Sequence, residues 1–314
     1  MKYILRKVVL GNVPEIEISE SEYYQLQKAR NTLSTALEIE EKYEIVISNY
    51  LDFEQEILNA TTKYMVREHV DYSDFFKVRL GFNIKLVNLL TAVRLYVDQL
   101  NRNVTECLDN KLNANDDVKK LFSKEYDENP YYRFMEALRN YVQHRGIPVH
   151  WTQQSSRWTS LEGDGMLEYS IELASQRSYL EEDKKMKKSV LAEMEDKVDL
   201  KAATRSYAES ISRIHDSARS MIADSTDCSR KLIEEAHRRY SEEYTDSLVG
   251  LSACKRDGHK LIASMPLLLD WDDIRMSLQK RNRKLINLSK RYATGIIKTH
   301  NKANPADAKS RTAD

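Results

Sequence analysis

Apolar residues recur at helical spacing along most of this chain and alternate only in short stretches. From Ser19 or Ser21, with Glu22 suiting the first turn, Leu26, Leu33, Leu37, Tyr43, Ile47, Leu51 and Leu58 keep a helical period to about residue 66. A second long period spans 72–109 through Phe75, Phe76, Leu80, Ile84, Leu89, Val93 and Tyr96; Gly81 inside it costs about 1 kcal/mol relative to alanine. The chain breaks at 113–116, and a short helix is expected over 118–124. Next comes a well-signalled helix: Asn129 caps it, Pro130 fits its first position, and Phe134, Leu138, Tyr141 and Val142 form its buried stripe. Gly146, as a left-handed cap, and Pro148 end it.

Strand-like alternation appears at 3–18, with a turn at Gly11-Asn12, and again at 147–151 and 166–173, separated by a polar loop at 153–165. The later pair predicts a β-hairpin that the N-terminal strands can join. Helical texture returns from about Glu181, and 198–244 reads as another long helix. Gly250, Gly258 and Pro266 punctuate the next segment. A last helix is expected from Asp270 or Asp272, carrying Leu278, Leu285, Leu288 and Tyr292 on one face. The fold class is therefore mainly α: an up-and-down helical bundle with a small β-hairpin and additional long C-terminal helices. The expected division is a bundle at 1–177, a second helical region at 178–300 and a disordered tail at 301–314.

Composition agrees with long amphipathic helices. Of 314 residues 31% are charged, and there are only 8 Gly and 5 Pro. Formal net charge is zero, so the molecule as a whole has no field that attracts nucleic acid. Locally the picture changes. Between Glu15 and Glu56 eleven acidic residues face only Lys28, Arg30 and Lys42, while between Asp273 and Asp307 there is no acidic residue at all. That C-terminal stretch holds Arg275, Lys280, Arg281, Arg283, Lys284, Lys290 and Arg291, a basic stripe suited either to a phosphate backbone or to the acidic first helix. Cys107, Cys228 and Cys254 are far apart and make no metal-ligand spacing, which reads as free thiols in a reducing compartment. The longest apolar runs, such as 265–269, fall short of the ~20 residues a membrane span needs, and no signal peptide is visible, so a cytoplasmic protein is expected. Walker A, GxGxxG, HExxH and GxSxG motifs are absent, no cofactor or metal is implied, and His215 reads as exposed on its helix.

The polar residues of the 129–146 helix carry the candidate chemistry. Arg139, Asn140 and His144 form Arg-Asn-x-x-x-His in its last turns. This resembles the signature of the HEPN superfamily, helical bundles in which an Arg followed at four to six residues by a His forms an RNase site. The resemblance covers this helix and suits the all-helical context. It implies a metal-independent endoribonuclease, a homodimer in which two motifs meet, and a role as a toxin or effector in prokaryotic defence with an antitoxin or other regulatory partner. RNA supplies its own 2′-OH nucleophile, so the protein must add proton transfer and charge stabilisation. His144 suits the first task, Arg139 can hold the phosphate by forked hydrogen bonds, and Asn140 can orient the His or the ribose. Each also reads blandly, as a surface arginine, a helix-face polar group and a helix cap.

Spacing adds a constraint. Arg139 and His144 lie five residues apart and so point ~140° away from each other on an ideal helix, whereas Asn140 and His144 share a face. Arg133, Arg145 and His150 lie near enough to add RNA contacts, and Lys280, Arg281, Arg283, Lys284, Lys290 and Arg291 form the second RNA-binding candidate. The competing class is a non-catalytic helical interaction protein that assembles through its long helices and opposite charge faces, with RNA binding confined to the basic C-terminal helix.

Overall fold

Ser19 starts the longest element: its hydroxyl accepts the Glu22 N–H (3.1 Å) and caps α1, Glu20–Val66, in a computed structural model. The structure describes residues 1–293 apart from 10–12, 68–70, 109–113, 162, 164, 245–247 and 259. The expected Gly11-Asn12 turn and the tail from Asn301 lie outside the described residues. Strands β1 (Lys2–Lys7) and β2 (Glu15–Ile18) precede α1. After it come α2 (Tyr72–Cys107), α3 (Ala114–Glu128) and α4 (Pro130–His144), then β3 (Trp151–Trp158), β4 (Leu167–Gln176), two single-turn helices α5 (Arg177–Glu181) and α6 (Lys188–Ala192), and β5 (Lys197–Asp199). The 44-residue α7 (Leu200–Glu243), capped by Asp199, leads to β6 (Leu251–Asp257), β7 (Lys260–Pro266), α8 (Asp270–Arg281) and a 3-10 turn at Leu288–Lys290.

The protein is thus mainly helical with two small antiparallel sheets, ordered β2-β1-β6-β7 and β3-β4-β5. Three expectations need correction here. The N-terminal strands do not join the hairpin. Ile4 and Leu5 are both fully buried, so β1 is covered on both faces, and it pairs with β2 on one edge and β6 on the other. The stretch 153–158 is strand rather than polar loop, since Gln153 to Trp158 pair in register with Glu172 to Leu167 despite having little apolar alternation. The last helix stops at Arg281. Leu285 and Leu288 continue its apparent period, but from beyond the α-helix, in a segment laid across α7 where the Leu285 N–H bonds to Ser212 Oγ (2.8 Å) and Leu288 opens the 3-10 turn.

Two apolar clusters hold the elements together. The larger takes in the middle of α1, the first half of α7, most of α2, α4 and residues of β4 and β5. The smaller joins the start of α1 (Tyr23, Leu26, Leu33) and the end of α7 (Ile233, Tyr240) to one face of the four-stranded sheet (Leu5, Ala253, Met265). Residues on both sides of position 177 contribute to each cluster.

Inside the larger cluster sits a charged group. His215, read from sequence as exposed, is 1% exposed and stacks on Tyr43 with ring centroids 3.7 Å apart. Its Nδ1 lies 2.9 Å from the Tyr96 hydroxyl and its Nε2 3.2 Å from Glu40 Oε2. Both contacts are satisfied by one neutral tautomer, in which Tyr96 donates to Nδ1 and Nε2–H donates to the carboxylate. Arg219 closes the group with a fork onto both Glu40 oxygens (2.8 and 2.5 Å).

Candidate functional site

Helix α4 is held at its start and aimed by its stripe. Asn129 Oδ1 accepts the N–H groups of Tyr131 (3.0 Å) and Tyr132 (3.3 Å), while Nδ2 reaches Ser206 and Ser210 of α7 at 2.9 Å each. Phe134 and Leu138 are fully buried. With that face fixed, another borders a cleft of about 480 Å³ between α3, α4 and the segment 183–187, with Val97 of α2 also in its lining.

Asn140 and His144, one turn apart, are both exposed in that cleft, as their spacing requires. Neither side chain has a hydrogen-bond or ion-pair partner among the described residues. Lys185 and Lys187 line the same cleft. Lys187 Nζ donates to the Tyr126 hydroxyl (3.0 Å) and lies 5.1 Å from that ring's centroid, yet the ammonium group of neither lysine has a carboxylate partner among the described residues. In a chain where most arginines are ion-paired, four polar groups without carboxylate partners share one concave surface.

Arg139 is placed elsewhere. It is 7% exposed, does not line the cleft, and donates from Nη2 to Glu136 Oε2 (3.1 Å). The other Glu136 oxygen accepts the Tyr207 hydroxyl of α7 (2.5 Å), and burial together with the Glu136 charge raises the Tyr207 phenol far above its usual range. Arg139 therefore fixes α4 to α7 through Glu136. The straight helix keeps the divergence that the five-residue spacing imposes.

The remaining candidates separate. Arg133 borders the cleft, but its Nη1 is spent on the carbonyls of Tyr126 and Asp127 (2.8 Å to the latter) and its Nη2 on Glu193 (2.5 Å), closing the end of α3. Arg145 reaches Asp183 (3.4 Å) and ties the end of α4 to the 183–187 segment. His150 lies outside the cleft: its Nδ1 accepts the Gln176 N–H (3.0 Å), its ring stacks on Tyr179, and burial lowers its pKa. The basic stripe is not one helical face. Arg281 pairs with Glu44 of α1 (2.5 Å) and Lys284 with Asp216 of α7 (2.8 Å), while Lys280, Arg283, Lys290 and Arg291 are exposed along the same segment.

Gly146 also has a different task from the one expected. It does not take a left-handed conformation; Arg145 ends the helix with φ −137°. A Cβ at Gly146 would come within 2.6 Å of the Tyr141 hydroxyl and 3.0 Å of the adjacent ring carbon, so glycine is there for close approach to a ring that lines the cleft. Gly146→Ala is expected to cost about 1–3 kcal/mol through overpacking, and thermal unfolding measures it.

Sequence reasoning does not single out Glu136, Tyr126, Lys185 or Lys187. Two signals for them exist: Glu136 precedes Asn140 by four residues and shares its face, and Lys184-Lys185-Met186-Lys187-Lys188 is a dense basic run. Among the described residues no group of three or more His, Cys, Asp or Glu side chains is placed to hold a metal ion. No family model, no curated protein and no solved structure matches this chain.

Proposed function

We propose that the protein is a metal-independent endoribonuclease of HEPN type that works in the α3–α4 cleft. The observation that carries this reading is the meeting of Asn140 and His144 with Lys185 and Lys187 in one cleft, all four without carboxylate partners among the described residues. In this scheme an RNA 2′-oxygen attacks the neighbouring phosphorus, the bond to the 5′-oxygen breaks, and a 2′,3′-cyclic phosphate remains. His144 carries one of the two proton transfers, from the 2′-OH or to the departing 5′-oxygen, and solvent water carries the other. Lys185 and Lys187 offset the charge that builds on the phosphoryl oxygens, the part that the HEPN resemblance gives to Arg139. Arg139 acts at one remove, by holding Glu136 and the pitch of α4.

The test is digestion of a mixed RNA in EDTA with analysis of the new ends. Cleavage leaving 2′,3′-cyclic phosphate supports the proposal, and Lys187→Ala is expected to raise KM about tenfold, the loss of one charge-assisted contact. A second reading, a non-catalytic interaction protein, draws on the commitment of Arg139 to Glu136. It gains if the protein leaves every RNA intact and Lys187→Ala changes no binding property.

A further inference from the structure

Helix α2 alone among the described helices is long and apolar enough to cross a membrane by length and composition, yet its inner face, with Phe82, Leu86, Leu89 and Val93, is core. The remaining apolarity lies outside. The Asp52–Lys85 ion pair (2.9 Å) and the approach of Glu56 to Gly81 mark the groove between α1 and α2. One residue further along each helix, Phe53 and Leu86 are fully buried; one residue back, Leu51 and Ile84 are about half exposed. Because the two helices run antiparallel, the same one-residue step turns outward on both.

Extending the helical period from there adds Leu58 and Met65 on α1, at seven-residue steps, and Leu80 and Leu95 on α2. All six are between 40% and 54% exposed. Together they present on the order of 500 Å² of apolar surface, near the upper end for a monomer. By helix dimensions the face is about 35 Å long and about 20 Å wide, comparable to the ~800 Å² per partner of a standard interface.

We infer that this face packs against the same face of a second copy of the chain, making a four-helix layer from two α1–α2 hairpins. The charge pattern selects that occupant. The central charges, Asp52 and Lys85, are of opposite sign and already paired, and Glu56 beside Gly81 leaves the groove slightly acidic, so a two-fold copy meets a nearly neutral surface. An anionic membrane or a nucleic acid finds no excess of positive charge there. The seven-residue spacing of Leu51, Leu58 and Met65 is that of a helix–helix seam. Val97, in the lining of the cleft, lies two residues past Leu95 and so ~200° round the helix. The pairing therefore leaves both clefts open and does not bring two 139–144 segments together, unlike the dimer the HEPN resemblance implies. It stands whether or not the cleft cleaves RNA.

Sedimentation equilibrium of the full chain over a wide concentration range tests it. The wild type is expected at twice the monomer mass. The Leu58→Glu/Ile84→Glu double variant is expected at the monomer mass with an unchanged circular-dichroism spectrum, and Leu232→Glu on α7 as a dimer. Should the double variant fold poorly, the milder Leu51→Gln/Leu95→Gln is expected to weaken dimerisation at least tenfold. A wild type that stays monomeric, a dimer that survives both double variants, or binding of the monomeric chain to vesicles of anionic phospholipid through this face overturns the inference.

Discussion

Glu40→Ala is expected to remove about 3–5 kcal/mol of folding stability, because it leaves the buried side of Arg219 without its carboxylate. It also strips His215 Nε2–H of its acceptor. A loss of that size corresponds to a fall in melting temperature on the order of 10 °C. Acid acts on the same group. Burial opposes the Glu40 charge, but the Arg219 fork and the His215 N–H more than compensate and hold its pKa at about 2, below the ordinary 4.5. Its stabilisation is therefore full above the unfolded value and is lost as pH falls from there toward about 2. His215 is shifted down from 6.5, chiefly by burial, with the Glu40 contact acting against that shift. The unfolded chain takes that proton first, so stability also declines as pH falls below about 6.5. Melting temperatures across this range check both, and His215→Gln should flatten the upper part of the decline. A melting temperature independent of pH between 7 and 5 would remove this account of the buried group.

His144→Ala is expected to reduce RNA cleavage by about 10²–10⁴-fold, the usual contribution of a general acid–base group. Its folding stability should stay within about 0.5 kcal/mol of wild type, since the side chain is exposed and has no partner among the described residues. That separation between rate and stability is the informative quantity. Arg139→Ala does not offer it, because removing a buried guanidinium leaves Glu136 held by Tyr207 alone and disturbs the α4–α7 contact. An Arg139 variant that loses activity together with its melting temperature would report on helix pitch and not on phosphate contact. If His144→Ala cleaves as fast as wild type, the cleft is not the active site.

Much of the helical frame could be read locally. Ser19 and Asn129 are side-chain caps beside strongly periodic runs, and both helices begin where those residues place them. The four-residue spacing of Asn140 and His144 already put them on one face. The failures are non-local or imitative. Strands β6 and β7 escape a local reading because the interior of β6 is small residues, Ser252, Ala253 and Cys254, buried by their neighbours and giving no large alternating side chains. Leu285 and Leu288 imitate a helical period although the helix ends at Arg281. Lys185 and Lys187 reach the cleft from a segment some forty residues past α4, a proximity that only tertiary packing creates.

The order β2-β1-β6-β7 has a consequence for synthesis. Strand β1 emerges from the ribosome well before its second partner, which starts at Leu251, more than 240 residues later. At ordinary translation speeds this is a wait of roughly 12–50 s. During that time one edge of β1 and the apolar start of α1 have no native cover. A nascent chain arrested before β6 should therefore bind a holdase chaperone through β1 and the start of α1 and release it once β7 has emerged, because only then is the smaller of the two apolar clusters complete.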